Sequence, residues 1–372
     1  MGALINAWER GSALAMFALL VLLVAMFSVG ISAMEAKQVK GKFVNEAGPW
    51  RMNVGGAIKA QWSTRQYDKA PAQPIPLYPL SPEMLEQAQE PILVRLGHSS
   101  ILLKLGEDYV LMDPVFSERA SPVNWAGPRR FHPPPLSIDA LPSIKAVIIS
   151  HDHYDHLDKD SIRQLADKVE YFVTPLGVGR HLIRWGIPED AIVEMDWWQE
   201  LQLGDLTLAA TPAQHFSGRG LFDRNETLWA SWVIMGAGAR VFFSGDTGYF
   251  DGFRDIGERY GPFDVTLIEN GAYNPAWRDI HMMPEDSVRA HLDLQGKVML
   301  PIHNSTFDLS LHPWYEPMER VTELASEKGI TLATPIMGAP MSILDPAPTL
   351  AWWRDVAGEQ VASTEDACTA SC

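Results

Sequence analysis

Residues 146–156 read Ala-Val-Ile-Ile-Ser-His-Asp-His-Tyr-Asp-His, and this stretch indicates both the fold and the chemistry. Its first four residues form a short apolar run rich in β-branched side chains, which predicts a buried strand. His151 and His153 then lie two positions apart on an extended segment, so their imidazoles point the same way. Asp155 and His156 emerge on a different side, as a turn or the start of a helix would place them. The arrangement predicts two neighbouring metal ions rather than one.

Further residues of the same chemical kind follow other apolar strands. His215, Asp246 and His303 each come within a few residues of the end of a predicted strand. Ligands of layered α/β folds bind at the carboxyl ends of strands, so we expect these side chains to converge on residues 151–156. Alone, each would be an ordinary hydrogen-bonded or turn residue. Together with the histidine-rich stretch they complete two metal sites.

Strands and helices mix along the chain in an order that predicts layers of helix and sheet around one core. Predicted helices cover residues 161–169, 284–294 and 317–328. The predicted strands cover residues 92–96, 100–105, 109–112, 146–149, 171–174, 206–210, 229–235, 240–243, 265–268 and 298–302.

The composition restricts the partners and the metal ligands. The formal net charge is -16, which argues against a nucleic-acid partner. The two cysteines, Cys368 and Cys372, lie at the very end of the chain, so a thiolate metal site in its body is excluded. Imidazoles and carboxylates without sulfur favour two Zn²⁺ ions, with Mn²⁺ or Fe²⁺ as alternatives.

The N-terminus predicts a membrane element. Residues 12–33 form an uncharged apolar run of 22 residues, long enough to cross a bilayer core of about 30 Å as a helix. We therefore assign residues 1–35 to a single membrane anchor. A cleaved signal peptide, with a periplasmic or secreted body, is the alternative. A Pro-rich connector and N-terminal extension follow over 36–90, and 346–372 is expected to be a loose C-terminal tail.

The motifs together resemble the metallo-β-lactamase superfamily. Within it, the chain is similar to the N-acyl-phosphatidylethanolamine-hydrolysing phospholipase D family over roughly residues 90–330. The resemblance implies an α/β fold, a four-layer αββα sandwich, here preceded by the N-terminal membrane helix, with the metallo-hydrolase domain over 91–345. The superfamily resemblance is carried by 151–156, His215, 244–248 and His303. The segments that carry the narrower family resemblance are 96–100, 113–122, 127–131, Tyr154 with 157–158, 212–215, 245–249 and 271–277.

The resemblance also implies roles for individual residues. The first metal would be bound by His151, His153 and His215. The second would be bound by Asp155, His156 and His303, with Asp246 bridging both, and Asp155 also counts among the catalytic residues. His281 matches a catalytic, substrate-side histidine, and Tyr154 matches a position against the bound phospholipid. Two departures, Asn304-Ser305 and His312, lie where the lipid pocket would be shaped.

The resulting hypothesis is a zinc-dependent phosphoric diester hydrolase of the phospholipase D type. A hydroxide bridging the metals would attack phosphorus and release N-acylethanolamine and phosphatidic acid. His281 would position the phosphate or protonate the departing alkoxide. Two alternatives stay open: a lactonase or other phosphodiesterase acting on a soluble substrate, and a membrane-tethered lipid-binding protein with a structural metal site. The family resemblance is also compatible with a homodimer.

Tryptophan usage provides a separate argument for a lipid substrate and a membrane partner. The chain has 13 Trp residues, and this side chain favours the membrane–water boundary. Five of them are expected near the mouth of the site: Trp125, Trp197, Trp198, Trp229 and Trp277.

Overall fold

The structure, a computed structural model, describes residues 36–48, 67–88, 91–348 and 350–358. The apolar run at 12–33 and the two cysteines lie outside these residues. Among the helices of the described part, none combines the length and the apolar character needed to cross a membrane.

The N-terminal half of the domain, together with one strand from near its C-terminal end, forms a seven-stranded mixed sheet. A separate small hairpin precedes it, made of β1 (Gln38–Val39) and β2 (Lys42–Phe43). The strands of this first sheet are β3 (Ile92–Gly97), β4 (Ser100–Leu105), β5 (Asp108–Met112), β6 (Ile144–Ile148), β7 (Val169–Pro175), β8 (Ile192–Met195) and β16 (Pro340–Ser342). They lie in the order β16-β3-β4-β5-β6-β7-β8, and neighbouring strands are antiparallel from β16 to β5 and parallel from β5 to β8.

The C-terminal half forms a second seven-stranded sheet. Its strands are β9 (Glu200–Leu203), β10 (Leu206–Thr211), β11 (Ser231–Gly236), β12 (Ala239–Phe243), β13 (Phe263–Glu269), β14 (Gly296–Ile302) and β15 (Thr331–Leu332). They lie in the order β15-β14-β13-β12-β11-β10-β9, and neighbouring strands are antiparallel from β9 to β12 and parallel from β12 to β15.

Helices connect the strands and cover the outer faces of the sheets. Two short 3₁₀ turns, Ala166–Lys168 and Glu189–Ala191, precede β7 and β8. The α-helices are α1 (Pro82–Gln87), α2 (Lys159–Leu165), α3 (Gly179–Arg184), α4 (Gly252–Tyr260), α5 (Pro284–Asp293), α6 (Glu316–Lys328) and α7 (Trp352–Ala357).

Side-chain alternation along the strands produces the layers. In β4, Ile101 and Leu103 belong to the large core shared with the second sheet, whereas Leu102 belongs to a separate core under α2 that includes Ile162. On the other side of the molecule, Phe242 of β12 packs edge-on against Phe253 of α4. Because each sheet buries one face on the other sheet and one on helices, the order of layers is helix, sheet, sheet, helix.

Several elements differ from those expected from the sequence. The short strands β8 and β9 and the helices α3 and α4 were not predicted. Within the expected loose tail, α7 is a packed helix: Trp353 is fully buried and Trp352 nearly so, in a cluster with Trp314.

Candidate metal centre

The predicted ligands come from loops that leave one edge of both sheets. The loop after β6 carries residues 151–156, and backbone bonds from His156 N and Leu157 N to His153 O close a turn there, with N···O distances of 3.1 and 2.8 Å. This turn separates the direction of Asp155 and His156 from that of His151. The other three ligands follow strands of the second sheet, His215 after β10, Asp246 after β12 and His303 after β14.

Four of these residues form a first cluster of donor atoms, all within 4.8 Å of one another: His151, His153, His215 and Asp246. His153 Nδ1 lies 2.8 Å from His151 Nε2 and 3.3 Å from His215 Nε2. Asp246 Oδ2 lies 3.8 Å from the Nε2 atoms of both His151 and His215. The three nitrogens and one oxygen face a common point.

A second cluster adjoins the first through the other oxygen of Asp246. Asp246 Oδ1 lies 3.1 Å from the Nε2 atoms of both His156 and His303. Asp155 Oδ2 lies 3.2 Å from His303 Nε2 and 3.5 Å from His156 Nε2. The structure therefore brings all seven predicted ligands together and gives Asp246 one oxygen for each cluster. A residue that the sequence did not assign, His98, also lies in the second cluster.

Hydrogen bonds fix which ring nitrogen faces the clusters for two of the histidines, His156 and His215. His156 Nδ1 donates to Asp113 Oδ2 at 2.6 Å, and His215 Nδ1 donates to the Ile280 carbonyl at 2.9 Å. Both rings consequently present Nε2 to the clusters, as expected where a carboxylate or carbonyl orients a metal-binding imidazole. Asp152, by contrast, binds His181 and the backbone N of Gly218 and does not orient a ligand.

The charges of the two clusters depend on one another. Burial holds the pKa of the His151 and His215 imidazoles well below the ordinary value, so these rings are neutral, the form that binds a metal. Burial alone would raise the pKa of Asp246, but the His156 and His303 imidazoles outweigh it and hold that pKa well below its usual range. Burial would lower the pKa of His303, yet Asp246 and Asp155 raise it to about 10. The ionised carboxylates of Asp246 and Asp155 are thus stabilised by positive charge on the neighbouring groups.

The donor set fits divalent cations on two further counts. His156 Nε2 and Asp246 Oδ1 are buried and lack a hydrogen-bond partner within the described part of the chain, although they lie 3.1 Å apart. Buried polar atoms without partners are costly, and a shared cation would satisfy both. Imidazole with carboxylate is also a donor combination typical of Zn²⁺, Mn²⁺ and Fe²⁺.

Asp113, at the end of β5, is a residue whose role the sequence did not reveal. Besides the hydrogen bond from His156, it accepts hydrogen bonds from the Ser150 backbone N–H and hydroxyl, at 2.7 and 2.6 Å.

We expect Asp113→Asn to weaken metal binding by about 10- to 100-fold, because the neutral amide orients and polarises His156 less. Competition with a chromogenic chelator would measure this, with Asp108→Asn at the other end of β5 as the matched control. An affinity within twofold of the wild type would contradict the assigned role.

His281 lies beside both clusters, with ring centroids 5.1 Å from His215 and 5.7 Å from His303. Its Nδ1 donates to the carboxylate of Glu269, a fully buried residue at the end of β13. Burial would lower the pKa of His281, but the Glu269 carboxylate raises it, which favours the protonated ring. Glu269 also accepts the Thr247 backbone N–H at 2.7 Å, next to Asp246. The sequence did not single out Glu269.

Tyr154 lines a cavity of about 780 Å³ that also includes Trp125, Arg184 and Trp185. The Tyr154 hydroxyl donates to the Arg219 carbonyl at 2.8 Å, and the Arg219 guanidinium lies 4.0 Å from the centroid of the tyrosine ring. Tyr154 belongs to the turn that carries metal ligands, and Arg219 fixes its ring in the wall of the cavity. The volume of this cavity is in the range of small-molecule binding sites.

The tryptophans expected at the mouth divide into two groups. Trp125 is 78% exposed at the edge of this cavity, and Trp277 is half-buried. Trp197, Trp198 and Trp229 are buried in the large core, so the expectation that they lie at the mouth is wrong. Trp229, for example, donates from its indole to the Ala213 carbonyl at 2.9 Å and supports the loop that carries His215.

Comparison with known proteins identifies the family. Residues 108–304 match the family model described as Beta-lactamase superfamily domain. The chain is 36% identical over 243 residues to N-acyl-phosphatidylethanolamine-hydrolyzing phospholipase D 1 of Caenorhabditis elegans, covering 62% of this chain and 68% of that protein. The chain belongs to the metallo-β-lactamase superfamily and, within it, to the N-acyl-phosphatidylethanolamine-hydrolysing phospholipase D-like family.

Two further proteins extend the comparison. An uncharacterised protein of Mycobacterium tuberculosis is 48% identical over 289 residues, covering 76% of this chain and 77% of that one. Igni18, a metallo hydrolase from Ignicoccus hospitalis, shares the fold with a TM-score of 0.53 at 21% identity, covering 68% of this chain and 97% of Igni18. Membership of this superfamily makes the chain a metallo-β-lactamase-fold hydrolase that binds divalent metal.

Proposed function

We propose that this hydrolase is a phosphodiesterase of the phospholipase D type, which converts N-acyl-phosphatidylethanolamine to N-acylethanolamine and phosphatidic acid. The observation that carries the proposal is the geometry around Asp246. One oxygen faces each of two donor clusters, and a carboxylate-bound histidine, His281, stands on their edge. The sequence relationship to the nematode enzyme, at 36% identity, supplies the choice of phosphodiester.

The cofactor we propose is a pair of Zn²⁺ ions, with Mn²⁺ or Fe²⁺ as substitutes. The first cluster and the second cluster, which share Asp246, would hold one ion each. Two such ions supply a water of lowered pKa and stabilise negative charge on phosphoryl oxygens. Asp246, which is buried, and Asp155, whose side chain is 16% exposed, would balance the cationic charge.

The proton of the leaving group is the task of His281. Hydrolysis breaks the bond between phosphorus and the ethanolamine oxygen, and the oxygen of water joins phosphorus. The departing oxygen then needs a proton. His281, whose pKa is raised because the Glu269 carboxylate outweighs the effect of burial, can donate it from Nε2. Tyr154 would contact the bound lipid from the wall of the cavity, where Arg219 holds its ring.

A lipid substrate agrees with the surface around the cavity. Gly220 and Trp125 line the cavity, and Leu221 and Phe222 follow Gly220 directly in the chain. The side chains of Leu221, Phe222 and Trp125 are 90%, 86% and 78% exposed. Exposed aromatic and aliphatic side chains of this kind favour the boundary of a bilayer. We therefore also propose attachment to a membrane, where the apolar run at 12–33 would hold the body of the chain near its substrate.

Product analysis in ¹⁸O-labelled water tests the proposal. The purified full chain, loaded with zinc, is incubated with vesicles that contain N-acyl-phosphatidylethanolamine, and the products are identified by mass spectrometry. The expected result is N-acylethanolamine without label and phosphatidic acid with one ¹⁸O atom on phosphorus. Diacylglycerol as the product, or label in the ethanolamine hydroxyl, would contradict it.

The same assay separates the alternatives. A sugar-phosphate lactone and a water-soluble phosphodiester are offered in parallel with the phospholipid. Turnover of the soluble compounds alone would favour an enzyme for a soluble substrate. Full metal loading without turnover of any compound would favour a lipid-binding protein with a structural metal site.

A further inference from the structure

We propose that His98 is a third imidazole ligand in the second cluster. The inference rests on the two-metal centre proposed above but not on the identity of the substrate. It would give each cluster three histidines: His151, His153 and His215 in the first, and His98, His156 and His303 in the second.

The position of the His98 ring nitrogen supports this role. His98 Nε2 lies 3.2 Å from Asp155 Oδ2, the same separation that His303 Nε2 has from that oxygen. The donor atoms of His98, Asp155, His156 and His303 all lie within 4.8 Å of one another. Ligands about 2.1 Å from one cation lie roughly 3–4 Å apart, so the spacing suits a shared ion.

The spread of the rings is similar in the two clusters. Ring centroids in the first cluster are 4.4, 4.8 and 5.1 Å apart. With His98 included, those of the second cluster are 4.0, 5.2 and 5.7 Å apart. His98 thus occupies in the second cluster the place that a third imidazole occupies in the first.

The backbone holds His98 in an unusual conformation to achieve this. His98 lies in the tight turn between β3 and β4 with φ of 48°, a value uncommon for a residue other than glycine. Its backbone N donates to Thr306 Oγ1 at 2.6 Å, and its carbonyl accepts from His303 N at 3.2 Å. Phe307 packs edge-on against the ring, which is 1% exposed. Strain of this kind persists where the surroundings fix a residue for a function.

Metal content of the full chain tests the proposal. His98→Ala is compared with His132→Ala, because His132 is also buried and binds the same Thr306 hydroxyl, at 3.1 Å, without reaching either cluster. After reconstitution and removal of loose metal, we expect two ions per chain for the wild type and His132→Ala. For His98→Ala we expect loss of the second ion, hence about one per chain. Retention of both ions by His98→Ala would overturn the proposal.

A second measurement does not depend on the variant folding. A crystal structure of the zinc-loaded wild type is expected to place a zinc ion about 2.0–2.1 Å from His98 Nε2. Zinc in the second cluster with His98 Nε2 beyond bonding distance, hydrogen-bonded to Asp155 instead, would overturn it. The first measurement gives the metal content per chain and the second gives the ligands of the second ion. Neither result depends on whether the phospholipid is hydrolysed.

Discussion

Asp246→Asn is expected to reduce hydrolysis by about 10³-fold or more, because losing metal-based charge stabilisation costs several kcal/mol at the transition state. Among the residues that the structure describes, Asp246 is the one carboxylate that belongs to both clusters, with Oδ2 toward the first and Oδ1 toward the second. The amide keeps the size of the side chain but offers a neutral oxygen to one cluster and an NH₂ group to the other. Metal content should fall together with activity, and both are measured on the same preparation.

Asp264→Asn is the matched control for this substitution. Asp264 lies on the neighbouring strand β13, where it binds Lys297 Nζ at 2.8 Å and accepts the Arg240 backbone N–H, away from the clusters. The control should keep two ions and its activity, with at most a modest loss of stability. If Asp246→Asn kept both ions and more than a third of the wild-type rate, the bridging role would be wrong.

His281→Ala should lower the hydrolysis of the phospholipid by about 10²- to 10⁴-fold, the range typical for removal of a general acid. Metal content should stay at the wild-type value because His281 belongs to neither cluster. The decisive comparison is a p-nitrophenyl phosphodiester, whose leaving group departs as a stable anion and needs no proton. With that substrate the variant should lose far less activity.

Glu269→Gln completes this experiment. The Glu269 carboxylate accepts from His281 Nδ1 and favours its protonated form, so the amide should produce a smaller loss with the same dependence on the leaving group. Equal losses for the phospholipid and the p-nitrophenyl ester in His281→Ala would show that His281 positions the phosphate and does not protonate the alkoxide.

The sequence predicted the centre where the relevant signal is local. The pattern after β6 predicts two imidazoles two positions apart, followed by a turn or the start of a helix. Of these two possibilities the structure has a turn, at His153–Leu157. His215, Asp246 and His303 could be found because each follows a strand that is buried enough to be recognised by its apolar residues alone.

The residues that the sequence missed act across long separations. His98 lies 57 positions from Asp155, and Asp113 lies 43 positions from His156. Both lie in segments that carry the family resemblance, 96–100 and 113–122, but nothing in those segments assigned either residue to the metal centre. Only the pairing of β3, β4, β5 and β6 brings them beside the ligands. The misplaced tryptophans have a related cause, since Trp favours both membrane boundaries and cores. Position in the sequence does not distinguish the two environments.

The location of the centre at the edge of two sheets has a consequence for the whole domain. His151, His153, Asp155 and His156 belong to loops of the first sheet, whereas His215, Asp246 and His303 belong to the second. Bound cations would therefore link the two sheets through metal–ligand bonds, because each ion would be coordinated by residues from both. Ions at about 1,000 times their dissociation constant add about 4 kcal/mol each to the folded state. Chelation should accordingly lower the melting temperature of the entire domain and not merely loosen one loop.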